Sequence, residues 1–437
     1  MKILVATSAV ALVASLSAAQ AQTEIQWWHA MGGELGAKLE EITRGFNDSQ
    51  DEYRVVPSYK GTYPETMTAA IAAFRAQQQP AIVQVFEVGT GTMMAAKGAI
   101  VPVHQLMQDQ QADFDPNAFL PAVVGYYTDT EGNMLSMPFN SSTPILYYNK
   151  TVFQEAGLDP ETPPETWADV EEFSRKIIDS GAASCGFTTG WISWIQTENL
   201  SAWHNQPIGT EQNGFGGTSA RLTLNGPVQV KHWENLKRLS DEGIFKYGGP
   251  VGGDNAPPMF YSQDCAMIMN SSASRAGVIA NATNFEVGYG MLPYYDDVEG
   301  APQNSIIGGA TLWVLSGRPE EEYAGVARFF EYLASPEVQA DWASFSGYLP
   351  ITQAAMDQMA DFYAENPGAD TGIRQITLNE PTENSKGLRF GNYVQIRGII
   401  DEEFEQLLSG SKDAQAALDS VVERGNALLA EFEAQNQ

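Results

Sequence analysis

Between Ile25 and Val88 the apolar residues change period repeatedly, and this alternation limits the folds open to the chain more than any other feature. Ile25 and Trp27 alternate with polar neighbours, as on a strand with one face buried. A glycine pair then leads into Leu35, Leu39, Ile42 and Phe46 at helical spacing. Val55, Pro57 and Tyr59 alternate again as far as Gly61. A second helix is predicted directly after it. Thr62 and Glu65 make a capping-box pattern, Pro64 suits a first turn that has no use for its missing N–H, and Met67, Ala70, Ile71 and Phe74 form the apolar face. Ala81 to Val88 reads as a third strand. Strand, helix, strand, helix, strand is the repeating unit of a doubly wound α/β structure, because each helix buries its apolar stripe against the sheet it connects.

The alternation returns further on. Thr166 and Asp169 predict the start of a helix whose Val170, Phe173 and Ile177 share a face and whose end is Gly181. From about Pro207 to Pro257 the chain is rich in Gly, Asn and Pro, which predicts loops interrupted by one helix around Pro227 to Leu239. Ala266 to Met269 is a short apolar strand, and Phe285 to Leu292 another, expected to run between two lobes. Ser305 to Leu315 and a helix over Glu320 to Ala334 then revisit the first lobe, which the chain leaves again near Ser335. Phe404, Leu407 and Leu408, then Gly410 and Ser411, then Leu418, Val421, Val422, Leu428 and Leu429 predict a paired-helix ending. Internal repeats are absent, which argues against solenoids and arrays.

Length requires more than one core. Lys2, the apolar run Ile3 to Leu16 and Ala19-Gln20-Ala21 form a secretory leader with a small-residue cleavage site, so the mature chain is expected to start at Gln22. The apolar run falls short of the ~20 residues a spanning helix needs, and no Cys near the cleavage site offers a lipid anchor. Removing the 21-residue leader from the 437-residue chain leaves 416 residues. Single cores rarely exceed ~250 to 300 residues, so two lobes are expected. The formal net charge of −30, or −31 without Lys2, argues against nucleic acid and anionic membrane surfaces, and favours an exported, soluble monomer. Cys185 and Cys265 are read either as a disulfide or as two buried thiols; neither has a second Cys or His at metal-ligand spacing.

Motifs of catalysis are missing. The chain holds no G-x-S-x-G, no H-E-x-x-H and no G-x-x-x-x-G-K, and Gly89-Thr90-Gly91 lacks the third glycine of a dinucleotide fingerprint. His29, His104, His204 and His232 are scattered, and carboxylates are too plentiful for any pair to be diagnostic. Trp191 and Trp194, three residues apart, would share a face of a helix, where they either wall a cleft or pack in the core.

The segment Pro138-Phe139-Asn140-Ser141-Ser142-Thr143-Pro144-Ile145-Leu146-Tyr147-Tyr148-Asn149-Lys150, with Ala156-Gly157-Leu158 and Pro163-Pro164-Glu165-Thr166-Trp167 behind it, resembles a crossover segment. It is the one found in the extracellular solute-binding proteins of ABC importers, the family that includes maltose-binding proteins. Trp28-His29-Ala30-Met31, Phe86-Glu87-Val88-Gly89-Thr90, Ile306-Ile307-Gly308-Gly309-Ala310, Gly347-Tyr348-Leu349-Pro350-Ile351-Thr352 and Gly391-Asn392-Tyr393-Val394-Gln395-Ile396-Arg397 resemble its glycerol-3-phosphate-binding branch. The resemblance implies two doubly wound α/β lobes joined by several crossovers, the type II periplasmic-binding-protein architecture, with the ligand in the cleft. Residues 22–139 plus 290–334 are expected in one lobe and 140–289 plus 335–437 in the other. It also implies a periplasmic, non-enzymatic receptor without cofactor or metal. The ligand would be sn-glycerol-3-phosphate or a glycerophosphodiester such as glycerophosphocholine, delivered to two inner-membrane permease subunits driven by a cytoplasmic ATPase. A sugar receptor on the same fold and a secreted phosphodiesterase or glycosidase are the alternatives.

The same resemblance carries a set of ligand-binding residues. Trp191 and Trp194 match a G-W-x-x-W-I-Q segment of the site. Ser141 and Ser142 in the crossover, Ser271 and Ser272 after a strand, and the close-approach glycines Gly308 and Gly309 would hold the phosphate with Arg397 as its cation. The residues alone would pair Arg397 with Asp401 or Glu402 on a helix surface. Glu87, at the end of a strand where open α/β sheets bind ligands, would serve the glycerol end away from the phosphate. Tyr63 and Tyr348 would contact hydroxyls, and Arg275 is read as a surface arginine. On this reading Arg397→Ala abolishes binding and leaves the melting temperature nearly unchanged.

Overall fold

The computed structural model describes residues 22–129, 131–250 and 255–436, so the leader read at residues 1–21 lies outside the described residues. Strands β1 (Thr23–His29), β2 (Tyr53–Tyr59), β3 (Ile82–Phe86), β4 (Ile100–Val101) and β5 (Met137–Ser142) begin a first sheet. Strands β6 (Pro144–Asn149), β7 (Cys185–Thr189), β8 (Phe245–Tyr247), β9 (Cys265–Ser271) and β10 (Val287–Gly290) form a second, after which β11 (Gly308–Leu315) returns to the first. The first sheet runs β2-β1-β3-β11-β4 with β5 also on β11, and the second β10-β6-β9-β7-β8. Both are mixed. β1 lies parallel to β2 and β3, and β7 parallel to β8 and β9, as helical crossovers require. β11 and β6 enter antiparallel to their neighbours.

Local chemistry sets the helices between these strands. Thr62 accepts the N–H of Glu65 while the Glu65 carboxylate takes the N–H of Thr62, closing the expected capping box on the helix Tyr63–Arg75. Thr166 and Asp169 do the same for Trp167–Ser180, which Gly181 ends at φ 78°. The helices Pro227–Asp241, Glu320–Ala334, Tyr393–Leu408 and Ala414–Gln435 occupy the predicted stretches, the last two packed on each other. Departures from the reading are few. Ile71 is exposed on its helix. The third strand stops at Phe86, and Glu87 opens a 3-10 turn to Gly89. The strand expected to run between lobes, β10, pairs only with β6 inside the second sheet, where its main-chain groups find partners. The chain after Ser335 still contributes to the first sheet's core: Trp342, Tyr348, Leu349 and Ile351 are buried with Trp27, Phe139 and Phe329. Among the described residues no helix is long and apolar enough to cross a membrane.

Cys185 and Cys265 face each other in register on adjacent strands β7 and β9 and are joined as a disulfide, which decides between the two sequence readings. The bond closes a loop with a sequence separation of 80 residues. Replacing both cysteines by serine is expected to lower stability by up to about 4 kcal/mol through the freed unfolded chain, read as a shifted urea midpoint; an unshifted midpoint would remove the disulfide from the stability of this lobe.

Two histidines are built into the second lobe as neutral rings. Nδ1 of His204 lies 2.8 Å from the Leu200 carbonyl while its Nε2 accepts the N–H of Tyr295 at 2.9 Å, which fixes the tautomer. His232 contacts the Tyr295 hydroxyl and Gln196 Oε1, both at 3.0 Å. Burial lowers His204 to about 4 and His232 well below its ordinary range. Unfolding exposes them to protonation near pH 6.5, so as pH falls from 6.5 towards 4 the unfolded chain binds the extra protons and stability drops. Urea titrations from pH 7.5 to 5 are expected to give a shallower loss for His204→Gln than for the wild type; equal slopes would contradict the assignment.

Candidate functional site

The two sheets meet at a cavity of about 250 Å³. Met31, Gly32, Thr62, Tyr63, Phe86 and Glu87 line it from the chain ends of β1, β2 and β3; Ser142 and Gly309 come from β5 and β11; Trp191, Trp194, Ser271, Ser274 and Arg397 close it from the opposite side, with Tyr348 at the edge. This is the end of the parallel strands, where exposed turns and unpaired main-chain groups are available to a ligand.

Glu87 comes off β3 and Arg397 off the helix Tyr393–Leu408, and they meet here. Nη2 of Arg397 donates to Glu87 Oε1 at 2.6 Å. Its Nε and Nη2 together donate to the two oxygens of Glu198, at 2.8 and 2.7 Å. All three side chains are buried. Arg397 is therefore not the surface partner of Glu402, which pairs with Arg424. With every group ionised the cluster carries one net negative charge. Burial pushes both carboxyls up, and Arg397 pulls them back only in part. Burial alone would lower the guanidinium, but Glu198 and Glu87 outweigh it and hold Arg397 well above its ordinary range. Glu87 and Arg397 thus meet as an ion pair, where the sequence reading had set them at opposite ends of the ligand. Glu198 was missed altogether; its signal was a lone charge in the otherwise uncharged run Trp191 to Trp203.

The tryptophans do not share a regular helix face. Trp191 sits in left-handed backbone at φ 48°, and Trp194 opens a six-residue π-helix, Trp194–Asn199; both nevertheless line the cavity. Trp194 lies so close over Gly308 that a Cβ there would come 2.4 Å from its ring, and Gly309 combines φ 98° with a Cβ position 2.0 Å from the Asn140 carbonyl oxygen. Only glycine suits either place.

Tyr63 is held by a relay. The Ala30 N–H donates to Gln84, Gln84 Nε2 donates to Asn140 Oδ1, and Asn140 Nδ2 donates to the Tyr63 hydroxyl at 3.0 Å, while the ring stacks on Phe86 at 5.2 Å. Burial raises the Tyr63 hydroxyl well above its usual range and pushes Tyr348 up to about 12, so both stay protonated donors. Of the predicted residues, Tyr63, Glu87, Ser142, Trp191, Trp194, Ser271, Gly309, Tyr348 and Arg397 line the cavity; Ser141, Ser272 and Gly308 stand outside its lining. The Ser141 carbonyl accepts the Leu349 N–H, and the Ser272 hydroxyl lies 3.5 Å from the Thr143 N–H. Ser274, Thr62 and Phe86 line it without having been singled out. Arg275 is not a surface residue: it is buried, donates to the Ser344 carbonyl and Asn366, and lies over the Phe362 ring.

The profile of the bacterial extracellular solute-binding proteins matches residues 41–371. The chain belongs to that family. Among its relatives, a protein of Rhizobium meliloti named sn-glycerol-3-phosphate-binding periplasmic protein is 50% identical over 414 residues, 94% of this chain and 95% of its own. A protein of the same name from Yersinia pseudotuberculosis is 50% identical over 432 residues, 98% and 97% of the two chains. The fold recurs in the glycerophosphocholine complex of UgpB from Mycobacterium tuberculosis, with a TM-score of 0.77, 21% identity, and 94% and 99% of the chains covered. It recurs also in the cyclic alpha-maltosyl-1,6-maltose binding protein of Arthrobacter globiformis, with a TM-score of 0.72, 21% identity, and 94% and 100% covered.

For this solute-binding protein, truncating Arg397 leaves two buried carboxylates uncompensated. Arg397→Ala is expected to cost about 3 to 5 kcal/mol of stability at neutral pH, against the unchanged melting temperature expected from sequence. The carboxyls then titrate still higher than in the unfolded chain, so the loss shrinks as pH falls from 8 to 5. Urea unfolding at both pH values checks it; a stability cost independent of pH would speak against the ion cluster as its source.

Proposed function

We propose that this protein is the periplasmic substrate-binding component of an ABC importer, and that it captures sn-glycerol-3-phosphate in the cavity between its two sheets. The observation that carries this reading is half identity, along nearly the whole chain, to proteins named for binding that ligand. The cavity suits a small solute. Micromolar affinity is about −8 kcal/mol, which for about ten heavy atoms is far above the roughly 0.3 kcal/mol per atom of drug-sized ligands. Nearly every ligand atom then needs a partner, and enclosure between two lobes supplies partners from both sides.

In this reading Glu87 and Arg397 read the glycerol end. Glu87 accepts a hydrogen bond from one hydroxyl, and the Nη1 of Arg397, the edge of the guanidinium not engaged by Glu87 or Glu198, donates to the other. The phosphate lies at the opposite end, among the hydroxyls of Ser142, Ser271 and Ser274 and the backbone at Gly309, with Ser141, Ser272 and Gly308 supporting that wall from behind. Tyr63 and Tyr348 donate their hydroxyls, and Trp191 and Trp194 cover the apolar edge. The tryptophans also suit the choline cation of glycerophosphocholine. The lobes are taken as the bodies built on the first sheet, to whose core Trp342, Tyr348, Leu349 and Ile351 also belong, and on the second sheet, in place of the bounds read from the sequence. Two permease subunits with a cytoplasmic ATPase are the proposed partners of a monomeric receptor.

Isothermal titration of the purified protein with sn-glycerol-3-phosphate and with glycerophosphocholine tests the proposal. Saturable heat with at least one of them is expected, weakened at least tenfold in Trp191→Ala because an aromatic wall contributes more than about 1.4 kcal/mol. Silence with both, together with binding of a maltooligosaccharide, would make the protein a sugar receptor.

A further inference from the structure

We propose that Glu198, which lies outside the lining of the cavity, sets the charge selectivity of the hydroxyl-reading end. It would make that end accept neutral hydroxyls and reject a second anionic group on the ligand. The inference rests on the proposed glycerol-3-phosphate reading and deepens it.

A guanidinium binds carboxylate or phosphate best through two parallel N–H donors on one edge. In Arg397 the edge formed by Nε and Nη2 is already filled by both oxygens of Glu198, and Nη2 is shared with Glu87. A ligand therefore meets single donors of Nη1 beside the Glu87 carboxylate, not a free fork. A hydroxyl satisfies both, accepting from one group and donating to the other. A carboxylate in the same place can only accept, and it faces a cluster of two carboxyl groups to one guanidinium.

Glu198 itself is held firmly. The π-helix Trp194–Asn199 that carries it is tied at Asn199, whose amide donates to the Trp194 carbonyl at 3.1 Å and whose oxygen accepts the Ile306 N–H at 2.9 Å. Gln196 on the same turn is fixed by Thr189 and His232. Glu198 is fully buried and touches Arg397 from the side away from the cavity. It is thus a positioning residue. It turns Arg397, the one cation lining the cavity among the described residues, into a polar, non-anion-binding edge.

The test compares two ligands that share the phosphate and differ at the far carbon: sn-glycerol-3-phosphate, with a hydroxymethyl group, and 3-phosphoglycerate, with a carboxylate. Isothermal titration of the wild type is expected to favour the first by about tenfold or more, the discrimination that a like charge a few ångströms away supplies in a partly screened site. Glu198→Gln keeps the side chain's shape and removes its charge. It is expected to narrow the ratio at least tenfold, chiefly by gaining affinity for 3-phosphoglycerate, whereas Glu198→Asp keeps the wild-type preference. If Glu198 only supports the fold, both affinities fall together and the ratio stands still, which overturns the proposal. Equal binding of the two ligands by the wild type overturns it without any variant. A wild type that binds neither ligand removes the glycerol-3-phosphate reading itself, and the selectivity proposal with it.

Discussion

The buried ion cluster of Arg397 with Glu87 and Glu198 joins the two halves of the molecule. Glu87 follows a strand of the first sheet, Glu198 lies on the π-helix beyond the second, and Arg397 reaches both from a helix near the end of the chain. Taking three charges out of water is expensive, and the cost is offset only while each finds its partner. The cluster therefore tolerates little change in the relative placement of the elements that carry it. Gly308 beneath Trp194, the stacking of Tyr63 on Phe86 and the relay through Gln84 and Asn140 fix other side chains that line the same cavity.

The acidic character of the chain does not conflict with the proposed anionic ligand, because the charges act at different ranges. A formal net charge of −30 repels anions in the far field, but screening confines this to about 8 Å at physiological ionic strength. Inside the cavity the lining offers serine hydroxyls and tyrosine donors. Many of the acidic residues instead lie on the surface, where Glu171 and Glu242 form a network of modest energetic weight with Arg175 and Arg238.

Features encoded within a few residues were legible in the sequence. Both capping boxes, the Gly181 helix end and the terminal helix pair follow from spacing, because each is settled by neighbours in the chain. Nine of the twelve site residues that the family resemblance carried line the cavity. What stayed hidden depends on distant partners. Arg397 and Glu198 are 199 residues apart, and nothing local distinguishes a guanidinium free for a phosphate from one already held by two carboxylates. The positive φ of Trp191 defeated the helical spacing argument, and the pairing of β10 inside the second sheet was invisible because a four-residue strand carries no sign of its neighbour. Trp342 and Tyr348 pack on the first sheet's core for a similar reason: an apolar stripe states that it will be buried, not where.

Strand β5 passes into β6 through the single residue Thr143, which is fully buried and anchored by Ser305 and by the N–H of Ser272. A joint this short acts as a fulcrum, and displacement grows with distance from it. Ser142 and Ser271 flank the joint, so their spacing changes least when one sheet rocks against the other. Glu87 and Arg397 are carried on elements far from the joint in the chain, and their ion pair ties those elements together. One end of the cavity thus rests on neighbours of a one-residue joint, and the other on an ion pair between residues 310 apart in the chain.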